Sequence, residues 1–554
     1  MLWSDTGLSF WGGVNPETGE VIDRHHPLSG RNIAGTVLAL PRGRGSCSGS
    51  VVLLELLMNG RAPAALVFEA ADDVLTLGVI VAEEMFGQSI PVLSVGRRFA
   101  SLASASHAAV ENGKLTIDGR LMTSGDTAST LPALSDHILT DQDRAMLAGE
   151  AGVAAQTALR IVLRTLALSG ATALVDVTRV HIDGCIYTGP AGLRFAEEMR
   201  EAGGRVVVPT TLNAISVDER RWRGQGIDPR LGEPATSLAR AYVAMGAQAT
   251  FTCAPYVLES PPKRGEMIAW SESNAVAYAN SVLGARTAKT PDLLDLCIAL
   301  TGRAPLSGCM VEANRHATLA VAVDPLSPAD DSLYPLLGYR VGALARDQIP
   351  VVTGLDALCP SLDDLKAFGA AYATTASAPM FHLGGITPEA ATLGRPDRLP
   401  EVRVSRADLL ALWRQFNDAT DPEVDLVCLG SPHLSPAELG RLAELCRGRR
   451  KAPGTGVTVT CGRDTLAKAE ADGLVADLHA FGVGFLTDTC WCMIGEPVIA
   501  PNARRLMTNS GKYAHYGPGL SGRQVRFASL ADCVEAACRG ALPVEPPAWL
   551  SNSA

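Results

Sequence analysis

Short apolar runs alternate with helix-period segments along nearly the whole chain, and most runs end in a polar or glycine-containing loop. From about Gly30 to Ile117 this pattern predicts strand Ile33–Leu40, helix Ser50–Met58, strand Ala64–Phe68, helix Leu75–Phe86 and strand Ile90–Val95. That strand–loop–helix rhythm specifies a small α/β domain. The polar stretch Met122–Pro132 reads as a linker and sets the expected domains at residues 1–132 and 133–554. Beyond it, Ala and Leu at helical spacing predict a helix over Asp141–Thr165, followed by a long β–loop–α series. The expected strands are Ala173–Val180, Arg205–Pro209, Gln248–Thr252, Met267–Trp270, Leu319–Val323, Val351–Gly354, Pro379–Leu383, Leu426–Leu429 and Val457–Thr460. The fold class is therefore α/β, a small domain joined to a larger, multi-lobed one. Ligands of open α/β sheets bind beyond the carboxyl ends of the strands, so chemistry is expected in the strand-end loops.

Composition narrows the function. With 554 residues, 47% hydrophobic and 19% charged, the chain can bury two or three cores and is not disordered. A formal charge of −10 and the lack of a basic stripe count against nucleic acid or an anionic membrane as partner. The apolar runs fall well short of the roughly 20 residues that span a bilayer. The start MLWSDTGLSFWGG has no secretory features, so a cytoplasmic location is expected. The 13 cysteines, an odd number without regular pairing, read as thiols and candidate metal ligands rather than a disulfide framework.

The strand-end loops are dense in ionisable side chains: HIDGC at 181–185, TTLN at 210–213, TCAPY at 252–256, WSESN at 270–274, HLGGITPE at 382–389, SPHLS at 431–435, TDTC at 487–490 and TNSGKYAH at 508–515. Taken singly, many have plain structural readings. His181 fits a satisfied buried histidine, Cys428 a core residue inside an apolar strand, and Cys297, Cys446, Cys533 and Cys538 helix packing. In the small domain, PRGRGSCSGS at 41–50 lies between a strand and a helix. It fits either an anion cradle of backbone N–H groups or a glycine-rich turn with Ser50 as helix N-cap. No G-K-[ST] ends it, so it is not a Walker loop.

This ordered series resembles the aconitase X family. The small-domain loop matches G-R-G-S-x-x-G-S, and the large part carries H-x-D-G, T-T-L-N, C-x-P-Y, E-S-N, S-V-L-G-A-R-T, T-P-E-A, P-H-x-S, D-T-C and N-S-x-K-x-A-H-Y, spanning about Phe10 to Tyr516. The resemblance implies a small swivelling domain fused to a large aconitase-like one, with no partner subunit required. It implies a hydro-lyase that converts cis-3-hydroxy-L-proline to Δ1-pyrroline-2-carboxylate with an iron–sulfur centre. The alternatives are a phosphorylated substrate such as mevalonate 5-phosphate and, in another class, an iron–sulfur sensor or RNA-binding regulator.

By this resemblance Ser46 is the expected base, His181 the acid, and Lys512 the charge-stabilising catalytic group. Gly45, Ser50, Asn213, Ser273, Asn274, Arg286, Thr387 and His515 are expected around the substrate. Cys253, Cys359 and Cys490 are the expected cluster ligands, with Cys492 next in line. Ser431 stands where relatives can carry cysteine, which makes [2Fe–2S] the expected cluster, with [3Fe–4S] and [4Fe–4S] as alternatives.

Overall fold

Val37–Leu40 and Ala65–Phe68 are buried along their whole length and form the centre of a parallel sheet with Leu2–Trp3 and Val92–Ser94 at its edges. Alternation along these strands divides the small domain's packing. Val37, Ala39, Ala65 and Val67 face Leu115 and Ile117 of an antiparallel meander, whereas Leu38, Leu40, Leu66 and Phe68 join the helices and the large part. The computed structural model describes residues 1–551 apart from positions 25, 112, 125–137, 327–328, 356–357, 393–397 and 420. Most of the expected linker and the 132/133 boundary therefore lie outside the described residues.

Three parallel sheets build the large part. The first orders Thr210–Leu212, Val180–Ile182 and Ala269–Trp270; an antiparallel pair, Arg303–Pro305 with Leu174–Asp176, lies apart from it. The second orders His382–Leu383, Pro350–Thr353, Leu319–Val323 and Glu401–Val404; the third, Val483–Leu486, Gly456–Cys461, Leu426–Leu434, Arg505–Thr508 and Gln524–Phe527. Helix starts are marked by reciprocal caps at Ser361, Ser405 and Ser435, each paired with an acidic residue three positions on.

The small domain shares one apolar core with the first of these units. Glu55 Oε2 accepts the Ala191 N–H at 2.7 Å, so a small-domain carboxylate caps helix Pro190–Glu201 of the large part. Arg164 of the large part pairs with Glu83 at 2.9 Å and Glu84 at 3.0 Å.

The α/β class holds, with local differences. The expected helix Asp141–Thr165 is two helices, Asp141–Leu147 and Val153–Leu168, because Gly149 and Gly152 adopt positive φ between them. Arg205–Pro209 is not a strand: Val206 and Val207 donate to the carbonyls of Met245 and Ala299, and pairing begins only after Pro209. Gln248–Thr252 contributes only an isolated bridge, Gln248 to Thr211. Among the described residues no helix is long and apolar enough to cross a membrane.

Candidate active site

Parallel register explains which side chains meet in the cleft. Ile182 is opposite Leu212, and Trp270 is opposite His181. Continuing that register past the strand ends sets Asp183, Asn213 and Glu272 side by side. The Asn213 amide donates to Asp183 Oδ1 and, at 3.1 Å, to Glu272 Oε2. Asn274 donates to Glu272 Oε1 at 2.6 Å and to the Cys253 carbonyl at 3.1 Å, while the Tyr256 hydroxyl donates to Asn274 Oδ1 at 2.8 Å, which fixes the amide's orientation. Lys512 Nζ arrives from the helix Gly511–Ser521 and donates to Glu272 Oε1 at 2.9 Å.

These groups wall a cleft that opens to solvent and holds about 520 Å³ of atom-free space. Ser46 of the small domain enters from one side and Ala370, Ala373 and Thr374 of the helix Leu362–Thr375 from another. Trp11 and Tyr516 also line it, edge to face with centroids 5.7 Å apart. Ser273 Oγ is buried in the wall without a hydrogen-bond partner among the described residues, a polar atom available to a ligand.

Electrostatics separates the two carboxyls. Burial and then the charge of Glu272 push Asp183 well above the usual carboxylate range. Burial also pushes Glu272 up, but the Lys512 ammonium, its hydrogen bond and that of Asn274 outweigh this and leave Glu272 low. Asp183 thus holds a proton beside an ionised Glu272. Burial lowers Lys512, yet the charges of Glu272 and the nearby thiols raise it well above its ordinary value, so it stays an ammonium.

Cys253, Cys490 and Cys492 meet beside this lysine. The Cys253 and Cys492 thiols share hydrogen bonds with Cys490, which holds Cys490 well below the ordinary thiol value while its two partners are raised. His433 supports the group: its backbone N–H donates to Cys253 Sγ at 3.3 Å, and its Nε2 lies 2.8 Å from the Thr489 carbonyl. Among the described residues no three His, Cys, Asp or Glu side chains are already spread around a common point as metal ligands. The three thiols are instead drawn together, and their chemistry, soft sulfur donors at the wall of a cleft, fits an iron–sulfur centre.

Of the residues expected from sequence, Ser46, Asn213, Ser273, Asn274, Lys512 and Cys490 line the cleft. Several others do not. Cys359 is exposed beside Tyr334, apart from the other two expected ligands, and Cys492 stands next to Cys490 instead. Arg286 is taken by Glu312 outside the cleft. Thr387 closes its own turn, its Oγ1 accepting from Leu383 N–H at 3.0 Å. Ser50 neither caps the helix nor faces the cleft; its hydroxyl donates to the carbonyls of Cys47 and Asp292. His515 is exposed beside Tyr339 rather than in the wall. Gly45 serves the loop's path: its φ is +81°, a Cβ there would lie 2.6 Å from Ser9 Oγ, and its carbonyl accepts from Lys289 at 2.8 Å.

His181 cannot be a resting acid. It is fully buried, its Nδ1 lies 2.8 Å from Thr211 Oγ1, and Nε2 points toward the Thr252 carbonyl without reaching a hydrogen bond. Burial lowers its pKa to about 3, so it is neutral at working pH. The unfolded chain protonates this ring below about pH 6.5, whereas the folded one resists until about pH 3, so stability present above 6.5 is lost as pH falls through that window. The full shift corresponds to about 5 kcal/mol. His181→Asn is expected to flatten the acid limb of unfolding stability measured by denaturant titration; an unchanged limb would refute this. Asp183 and Glu272 were given no role from sequence, although they follow their strands as Asn213 does, and Cys492, next in line as a ligand there, takes the place expected of Cys359.

The comparisons with known proteins agree with this architecture. Family models match in series: aconitase X swivel domain at residues 1–118, first domain at 137–313, second domain at 317–414 and third domain at 424–539. Across 100% of its length the chain is 56% identical to cis-3-hydroxy-L-proline dehydratase of Hypocrea jecorina, covering 95% of that protein, and 55% identical to that of Pseudomonas aeruginosa, covering 96%. The crystal structure of Thermococcus kodakaraensis aconitase X, holo-form, aligns with a TM-score of 0.65 at 32% identity, covering 72% of this chain and 99% of that one. Fold, cleft and relatives together make this protein a hydro-lyase. It belongs to the aconitase X family.

Proposed function

We propose that this chain removes water from cis-3-hydroxy-L-proline to give Δ1-pyrroline-2-carboxylate. The observation that carries the reading is full-length likeness, at 55% and 56% identity, to two proteins of that name. The charge pattern of the cleft supports it. An amino acid brings an ammonium and a carboxylate, and the cleft offers ionised Glu272 for the first and the Lys512 ammonium for the second. Among the described residues lining the cleft, Lys512 is the single Lys or Arg, which disfavours a phosphate dianion such as mevalonate 5-phosphate.

In this reading Ser46 takes the proton next to the substrate carboxylate and Lys512 stabilises the charge that develops there; that both line the cleft supports it. Asn213 and Asn274 hold Glu272 in place, and the Ser273 hydroxyl is left to bind substrate. Cys253, Cys490 and Cys492 would hold the iron–sulfur cluster, with [2Fe–2S] the proposed type and [3Fe–4S] or [4Fe–4S] the alternatives. When bound, it supplies a Lewis acid for the departing hydroxyl. Thirteen unpaired cysteines suit a reducing compartment, the cytoplasm.

Incubation of anaerobically purified protein with cis-3-hydroxy-L-proline is expected to yield the cyclic imine with loss of one water, detected by mass spectrometry. Turnover of mevalonate 5-phosphate without turnover of the hydroxyproline would overturn the substrate assignment.

A further inference from the structure

Asp292 is fully buried, and neither of its carboxylate oxygens has a hydrogen-bond partner among the described residues. Such an acid is costly to keep ionised and is uncommon without a role. It is pinned to the serine loop of the small domain: its N–H points to the Cys47 carbonyl at 3.4 Å, and its own carbonyl accepts from Ser50 Oγ at 2.9 Å. The side chain that acts on its carboxyl as a donor is Ser48, which stops short of a full hydrogen bond.

Ser48 is itself unusual. It stands at the N-cap of the helix Gly49–Met58 but makes no side-chain cap, the ordinary task of a serine there. Its hydroxyl lies instead 3.1 Å from Ser46 Oγ. Ser46 at the cleft, buried Ser48 beside it and Asp292 beyond Ser48 form a file of oxygens.

We propose that Asp292 is the proton store of the Ser46 base, reached through the Ser48 hydroxyl. This rests on the dehydratase reading above. In the forward step the substrate C–H bond breaks and its proton goes to Ser46 Oγ, as the Ser46 proton passes to Ser48 and the Ser48 proton to the Asp292 carboxylate. The electron pair left on carbon forms the double bond and expels the hydroxyl, which leaves as water when the proton returns along the file. Asp292 is thus a positioning and storage residue that does not touch substrate.

The surroundings leave Asp292 as the acid for this task. Asp295, from the helix Leu294–Thr301, is occupied by the N–H groups of Asp183, Gly184 and Leu296 at 2.8, 3.1 and 2.7 Å. Asp183 is taken by Asn213, and Glu272 by Lys512. Lys289, on the same segment as Asp292, is spent on the Gly45 carbonyl. Burial, then the charges of Asp183 and Asp295, push the Asp292 carboxyl well above the usual range, so its ionised form is a stronger base toward the Ser48 hydroxyl than an ordinary carboxylate and is lost as pH falls.

The test compares wild-type holoenzyme with Asp292→Asn, close in shape but unable to take a proton, and with Ser48→Ala. Both are expected to lower kcat by at least ~100-fold with KM and visible cluster absorbance retained, and to lose the same limb of the kcat–pH profile. The double variant is expected to be no worse than either single one. Asp292→Asn with wild-type kcat, or with lowered kcat but an unaltered pH profile, would overturn the proposal; if that variant does not fold, Ser48→Ala carries the same readouts. A wild-type enzyme inactive on cis-3-hydroxy-L-proline would instead count against the substrate reading, and infrared spectroscopy then decides this one without substrate. A protonated-carboxyl band that grows as pH is lowered, vanishes in Asp292→Asn and shifts in Ser48→Ala is expected; a band indifferent to Ser48 overturns it.

Discussion

Cys490→Ser is expected to yield folded protein that has lost nearly all iron, its visible absorbance and its turnover, with activity down about 1,000-fold or more, roughly 4 kcal/mol of barrier. Cys490 shares hydrogen bonds with both Cys253 and Cys492 and is the thiol held lowest, so it is the one most readily present as thiolate, the form that binds iron. The matching control is Cys359→Ser, at an exposed position, which is expected to leave iron content and turnover as in wild type. Iron and sulfide analysis with an activity assay reads both. A Cys490→Ser protein that keeps its iron, or a Cys359→Ser protein that loses it, would reverse the ligand assignment.

Ser46→Ala is expected to lower kcat by about 10²–10⁴-fold, the usual contribution of a positioned base, with KM and cluster absorbance little changed. The physical basis is placement. Ser46 is on a small-domain loop that lines the cleft together with Lys512, and Gly45 turns the chain through a left-handed conformation beside it. Near-normal kcat in this variant would remove Ser46 from the reaction and with it the relay through Ser48.

The two variants also separate the roles of the two domains. The thiols and Lys512 come from the large part, whereas Ser46 comes from the small one. Glu55 and the Arg164 ion pairs fasten the domains, so the cleft exists only where both are docked.

Much of the chain's organisation could be read from residue pattern. Fully apolar runs such as Val37–Leu40 and Leu319–Val323 were legible as buried strands, and they lie in parallel sheets because strands covered on both faces must be apolar throughout. The ordered motifs indicated the aconitase X family and the swivel-plus-large arrangement. Ser46, Asn213, Ser273, Asn274, Lys512 and Cys490 were legible as cleft residues because each follows a strand or opens a helix in a loop too polar for packing alone. Positions 183 and 272 carried the same signal, but aspartate and glutamate are common in loops and nothing local marked these two.

Sequence thus determined the class of fold, the family and the loops that carry chemistry, since all three are written in local pattern. Pairing across distance was decided by tertiary structure alone. Strand register brings Asp183, Asn213 and Glu272 abreast, and the approach of two loops puts Cys253 beside Cys490 and Cys492 while leaving Cys359 outside. Burial turns His181 from a candidate acid into a neutral core ring, and ion pairing diverts Arg286 to Glu312. A side chain's charge and partners depend on desolvation and on neighbours far along the chain, and neither is a property of the residues beside it in sequence.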